Sequence, residues 1–319
     1  MLISNVAIAR TIKIATLAPD GTNWMKQMRK GAAVIAERTQ GRVKFKFYPG
    51  GVMGGDASVH RKIRIGQLHG GAFTSGGLSG IYPDIQIYSL PMIFDSFAEV
   101  DYVRSKMDVS LKQGMREKGF ELLGISEGGF ARILSTEALG SLSQIRKKKV
   151  WAPEGDALVL ESFKTLGVSP ISLPISDVYT GLQTGLIDTI SANSTAAIAF
   201  QWHSKVSYVT DVPLIYIVGS LIVDSKTFKK ISKPDQAIVK EEMVRVFKYL
   251  DKINRTDNKD ATEALRAQGI TFIPLEKYEL VLWKTMAEKA IKNLLAADAI
   301  SDTKLNVLKS HLAEYRNKH

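Results

Sequence analysis

Apolar positions along the first half of the chain switch between two spacings: strict alternation, and recurrence every three to four residues. Ile12 and Ile14 alternate as a strand that runs into the turn Pro19-Asp20-Gly21. Trp24, Met28, Ala32 and Ile35 then mark one face of a helix closed by Gly41. Val43, Phe45 and Phe47 alternate again and stop at Pro49-Gly50-Gly51. Asp56 is positioned to cap a helix that runs through Ile63 and Leu68 to Gly70, and Ala72-Phe73-Thr74 follows as a short strand. A helix over 99–118 leads to the strand Phe120-Glu121-Leu122-Leu123-Gly124-Ile125. Strands separated by helices at this interval predict a mostly parallel sheet.

The alternation restarts after residue 148. Lys149-Val150-Trp151-Ala152-Pro153 is strand-like, a helix runs over 156–166 to Gly167, and Ile171-Ser172-Leu173-Pro174 is extended. Ser176 and Asp177 start a short helix to Gln183, and 187–191 forms another strand. The longest pattern covers 233–269. Pro234 suits a first helical turn and Gly269 the position past the end, while Val239, Met243, Val246, Phe247, Leu250 and Ile253 recur at helical spacing. A helix of about 35 residues is roughly 50 Å long, which exceeds a single lobe. A strand at 270–274 and two more helices close the chain.

With 319 residues, two lobes of ordinary size are expected. Hydrophobic residues at 45% and charged residues at 24% place the chain in the globular class. The absence of cysteine excludes disulfides, thiolate metal sites and cysteine nucleophiles. A net charge of +11 raises nucleic acid as a partner, but basic residues concentrate only in Arg146-Lys147-Lys148-Lys149, a run that suits a solvated loop. Nucleic acid is therefore not expected. No stretch is apolar enough to span a membrane. Ala7-Ile8-Ala9, just before the first strand, fits the small-residue pattern of a signal-peptidase site, so residues 1–9 read as a signal-peptide remnant.

Chemistry-bearing motifs are few. Gly124-Ile125-Ser126-Glu127-Gly128 matches the G-x-S-x-G elbow of serine hydrolases and follows a strand, as that elbow requires. The elbow also needs a helix directly after it, and Gly129-Phe130-Ala131-Arg132-Ile133-Leu134 reads as extended, so a hydrolase using Ser126 is the alternative and a non-enzyme the expectation. His60 and His69 are placed on opposite faces of one helix, with no metal-binding spacing, so neither metal nor cofactor is expected. The cluster Gly50-Gly51-Val52-Met53-Gly54-Gly55 lacks the lysine of a phosphate loop.

Several stretches together resemble the solute-binding proteins of TRAP transporters, the DctP family. They are Leu17-Ala18-Pro19-Asp20-Gly21 with Trp24, the glycine cluster ending in Asp56, Ile65-Gly66-Gln67-Leu68, Ser89-Leu90-Pro91-Met92-Ile93-Phe94, 163–170, and above all 177–188, Asp-Val-Tyr-Thr-Gly-Leu-Gln-Thr-Gly-Leu-Ile-Asp. The resemblance covers about 11–300. It implies the two-lobed α/β periplasmic binding protein fold, with a ligand cleft between the lobes and a long helix, about 233–268, spanning both. On that basis lobe I takes 10–130 and 220–258, and lobe II takes 131–219 and 259–319. It also implies a monomeric periplasmic protein without catalysis that passes a small molecule to small and large permease subunits in the membrane.

The site departs from the family. Where relatives resemble Lys-Ile-Arg-Val-Pro, with an arginine that forks onto the ligand carboxylate, this chain has Trp151. Arg132 matches a second family arginine and is either an anion contact or a structural arginine paired with an acid. Asn193 offers an amide. An indole at 151 offers a flat apolar face and one donor, and with Phe73, Trp24 and Trp202 it suits an aromatic or apolar cargo; each aromatic also has a core-packing reading. Asp20 and Thr74 complete the expected ligand-binding set. The cargo is thus a small organic acid or a more apolar molecule.

Overall fold

The computed structural model describes residues 9–319, so eight of the nine residues assigned to the signal remnant lie outside it. Nine strands follow in chain order: β1 (Arg10–Thr16), β2 (Val43–Tyr48), β3 (Gly70–Thr74), β4 (Phe120–Ser135), β5 (Trp151–Pro153), β6 (Ile171–Leu173), β7 (Thr189–Ala192), β8 (Tyr208–Asp224) and β9 (Thr271–Ile273).

The chain forms two compact units. The first gathers the chain up to Phe73 with Met115–Ser126 and Ser220–Lys252. Here β1 is central, pairing in parallel with β2 from Arg10↔Val43 and with β3 from Ile14↔Gly70. Ile12 and Ile14 are buried, and the helix Asn23–Arg38 turns Met25, Met28 and Ile35 inward. Trp24, read as part of that stripe, lies just off the buried face. Two glycines permit close packing. A Cβ on Gly31 would sit 2.5 Å from Val246, and one on Gly70 would sit 2.1 Å from the Ile222 carbonyl oxygen.

The second unit contains Thr74–Gly114, Glu127–Gly219 and Ile253–His319, so residues 74–114, assigned above to lobe I, pack with it. β4 and β7 pair antiparallel in the register Arg132↔Ala192 and Ile133↔Ser191, and β9 joins β8 in parallel. Successive side chains leave a strand on opposite faces. Ile133 enters a core with Leu142, Val150, Phe163 and Trp283, whereas Leu134 enters another with Trp151, Ile190, Trp202 and Leu265. Both faces of β4 are therefore covered.

The long helix runs over Lys233–Ala267, 35 residues, as its apolar spacing predicts. Its first part belongs to the first unit and the part from Ile253 onward to the second.

Three sequence readings change. The helix expected to reach Gly70 is Asp56–Arg64, because Gly66 takes φ +76° and ends it; Gly55, not Asp56, is the cap residue. His69 therefore shares no helix with His60. Its Nδ1 accepts the Lys13 amide at 3.1 Å, and burial, then the charge of Lys13, lowers its pKa. The 17-residue β8 has no counterpart among the sequence expectations; its stretch Leu221-Ile222-Val223 is buried throughout and carries no alternation.

Candidate functional site

The G-x-S-x-G stretch lies within β4, which stays extended through Ser135. Its glycines answer packing needs. A Cβ on Gly124 would meet the Phe247 ring at 2.2 Å, and one on Gly128 would meet Ile217 at 2.9 Å. Ser126 is 2% exposed and no helix N-terminus follows it to supply oxyanion amides. Glu127 is buried and receives both Arg255 Nε, at 2.8 Å, and the Tyr216 hydroxyl, at 3.1 Å. The stretch is an extended, closely packed part of β4 without the geometry of the hydrolase elbow.

The second unit holds a cavity of about 250 Å³. One wall is aromatic. Trp151, first residue of β5, is 3% exposed and meets Trp202 edge-to-face at 5.6 Å, while Phe200 stacks on Trp202 at 5.0 Å. The Trp151 Nε1–H donates to the Leu173 carbonyl at 2.9 Å, which fixes the indole plane and uses its donor. Ile215 and Ile217 of β8 extend the apolar lining.

The polar lining comes largely from residues that start helices. Thr74 caps Ser75–Leu78, Asp156 caps Ala157–Thr165 and Asn193 caps Ser194–Ala199. Asp156 Oδ1 accepts from the Val159 amide and from Gln86 Nε2, both at 3.0 Å. Burial raises its pKa against the opposing pull of the Val159, Gln86 and Leu158 hydrogen bonds. Gly76 makes this placement possible, since a Cβ there would lie 2.0 Å from Asp156 Oδ2. Asn193 Oδ1 accepts from Ala196 N and its Nδ2 donates to the Gly128 carbonyl, both at 2.6 Å.

Of the residues expected from the sequence, Thr74, Trp151, Asn193 and Trp202 share this cavity. The others do not line it. Arg132 Nε donates to Asp211 Oδ1 at 2.7 Å, and Arg266 reaches the same carboxylate at 3.6 Å, which is the ion-paired alternative for Arg132. Phe73 stacks on His60 at 4.5 Å, Asp20 holds Arg29 at 3.0 Å, and these two and Trp24 belong to the first unit. Sequence reasoning missed Asp156, Phe200, Ser191 and the serine pair Ser75 and Ser89. Asp156 carried a signal only as a helix start. Among the described residues no group of three His, Asp or Glu side chains is gathered to hold a metal ion.

Residues 14–298 match the family of bacterial extracellular solute-binding proteins, family 7, called DctP. The chain belongs to that family. It is similar to the uncharacterized protein YiiZ of Salmonella typhimurium, 26% identical over 209 residues, 64% of this chain and 63% of that one. The sialic acid-binding periplasmic protein SiaP of Vibrio cholerae is 22% identical over 283 residues, 86% of this chain and 87% of its own. The sugar acid binding protein DctPAm of Advenella mimigardefordensis, solved in complex with galactonate, has the same fold: TM-score 0.89, 19% identity, 96% of this chain and 99% of that one. No described helix is long and apolar enough to cross a membrane.

Proposed function

We propose that this protein is the periplasmic receptor of a TRAP-type uptake system, which captures a small solute with a broad apolar or aromatic face and passes it to small and large permease subunits. It acts by binding, without catalysis or cofactor. Family membership supports the transport role, and the aromatic wall of Trp151, Trp202 and Phe200 carries the reading of the cargo. Burying an apolar face at about 25 cal/mol per Å² supplies affinity there without a charged partner.

The test is to purify the exported protein without denaturation, release what it retains and identify it by mass spectrometry. A compound with an aromatic or extended apolar face is expected. Retention of a polyhydroxylated sugar acid would overturn the cargo assignment and favour the second reading, a conventional organic acid, which the cargo named for SiaP and DctPAm supports.

A further inference from the structure

The polar atoms around the cavity are unevenly supplied with protons. Ser89 Oγ donates to the Tyr216 carbonyl at 2.9 Å, so in its 2.8 Å contact with Ser75 it accepts, and Ser75 donates. Both serine protons are engaged, leaving only lone pairs toward a ligand. Asp156 offers acceptors alone when ionised. A carboxylate has about four acceptor sites; Val159 N and Gln86 Nε2 take two on Oδ1 and the Leu158 amide also donates to the carboxylate, which leaves acceptor capacity for a ligand. The Trp151 N–H is engaged with Leu173. The remaining side-chain donors are all neutral: the Thr74 hydroxyl, one N–H of Asn193, and Ser191, whose buried hydroxyl has no hydrogen-bond partner among the described residues.

No lysine, arginine or histidine is among the described residues that line the cavity, and Asp156 is its one carboxylate. Three helix N-termini border it, and such ends attract anions. The longest of these helices, Ala157–Thr165, already has an anion in place, the Asp156 side chain bonded to its Val159 amide. The other two helices are short and carry Thr74 and Asn193 at their caps.

We infer that this cavity selects a solute whose polar end is a hydrogen-bond donor, a hydroxyl or an ammonium group, on an apolar body, and that Asp156 is the residue that reads it. This rests on the proposed apolar cargo and narrows it. An ammonium or hydroxyl donates to the Asp156 carboxylate or the serine lone pairs and leaves the Asp156 charge compensated. A ligand carboxylate would face another carboxylate in an apolar enclosure with only neutral donors, which costs free energy or forces a proton onto one of the pair.

The experiment uses three probes of one shape: 2-phenylethylamine, 2-phenylethanol and phenylacetate, titrated calorimetrically into the parent protein and into Asp156→Asn. Asparagine keeps both the cap and an acceptor for Gln86, so the variant retains the local frame. In the parent, the amine and the alcohol are expected to bind at least about tenfold more tightly than phenylacetate, a difference of about 1.4 kcal/mol. In Asp156→Asn that preference should collapse to within about threefold, by weaker amine binding and, for both comparisons, by tighter phenylacetate binding.

Phenylacetate binding the parent as tightly as the amine and the alcohol would overturn the inference while leaving the apolar cavity intact. Discrimination that persists in Asp156→Asn would remove Asp156 as the reader. Binding of none of the three would remove the apolar-cargo reading itself, and this inference with it. The parent series alone decides the donor preference should the variant fold poorly.

Discussion

Ala131 and Arg132 are neighbours on β4 and enter different chemical surroundings. Ala131 lines the cavity; Arg132 pairs with Asp211 on β8, beside Arg266, whose guanidinium lies 3.7 Å from the centre of the Phe272 ring. One region gathers cations around a shared acid, and the other gathers indoles, isoleucines and a single carboxylate. Alternation alone does not separate them, since Leu134, on the same face as Arg132, packs with Trp151 and Trp202; the ion pair with Asp211 is what engages the Arg132 guanidinium. A cation one position from a cavity is therefore weak evidence that the cavity binds anions. Its hydrogen-bond partner is better evidence, and here that partner belongs to the protein.

The largest effect should come from the aromatic wall. Trp151→Ala removes a side chain that is 3% exposed, is packed against Trp202 and donates to Leu173, so unfolding stability should fall by about 3–5 kcal/mol. Denaturant unfolding of the two proteins measures this. A loss below 1 kcal/mol would mean the indole is poorly packed and would remove the basis for treating it as a rigid wall. Affinity for retained cargo should fall by roughly thirtyfold, since about 2 kcal/mol of apolar contact is lost.

The next effect tests how the carboxylate is held. Gly76→Ala places a methyl group 2.0 Å from Asp156 Oδ2, so the acid or the short helix Ser75–Leu78 has to shift. Overpacking of this kind costs about 1–3 kcal/mol. Affinity should change along with stability, whereas an alanine tolerated with neither change would show that Gly76 and Asp156 are not locked together.

A smaller effect, with a definite sign, concerns Asp156 and pH. Burial raises its folded pKa above the ordinary aspartate value of about 3.8, so the ionised carboxyl is disfavoured by folding. That penalty is absent below about pH 3.8, develops as pH rises toward the folded pKa, and is complete above it. In the absence of cargo, Asp156→Asn should therefore melt at a higher temperature than the parent at neutral pH. The advantage should vanish in acid. A variant that melts lower at neutral pH would indicate that the hydrogen bonds from Val159 and Gln86 outweigh the burial of charge.

Regular elements were the most legible part of the sequence. The long helix is announced by its stripe from Val239 to Ile253, by Pro234 and by Gly269, which takes φ +88° past its end. β8 was hidden because Leu221, Ile222 and Val223 are all buried, so no polar beat marks its period. At the site, Trp151 stood out as an exchange of residue type, and Asn193 and Trp202 followed from the family arrangement. Asp156 was legible only as a helix start, because a cap obeys a local rule while the cavity it faces is assembled from segments far apart in the chain. Arg132 could not be decided, since its partner Asp211 lies 79 positions away on an unread strand.

The smallest predicted effect bears most directly on the contrast between Ala131 and Arg132. Arg132 and Asp211 are 29% and 35% exposed as side chains, and ion pairs with that access to solvent contribute roughly 0–1 kcal/mol. Arg132→Ala leaves Asp211 within 3.6 Å of Arg266, so the acid keeps a cationic neighbour and no buried charge is stranded. Stability should therefore fall by less than about 1 kcal/mol. Cargo affinity should stay within about twofold of the parent, because Arg132 makes its contacts away from the cavity lining. A removed anion contact would behave differently: losing a guanidinium fork on a ligand carboxylate costs a charge-assisted bond, and tenfold or more in affinity. Calorimetry of Arg132→Ala with retained cargo separates the two outcomes. A tenfold loss would place Arg132 on the ligand, make the pairing with Asp211 a resting arrangement that cargo displaces, and restore an acid as the solute.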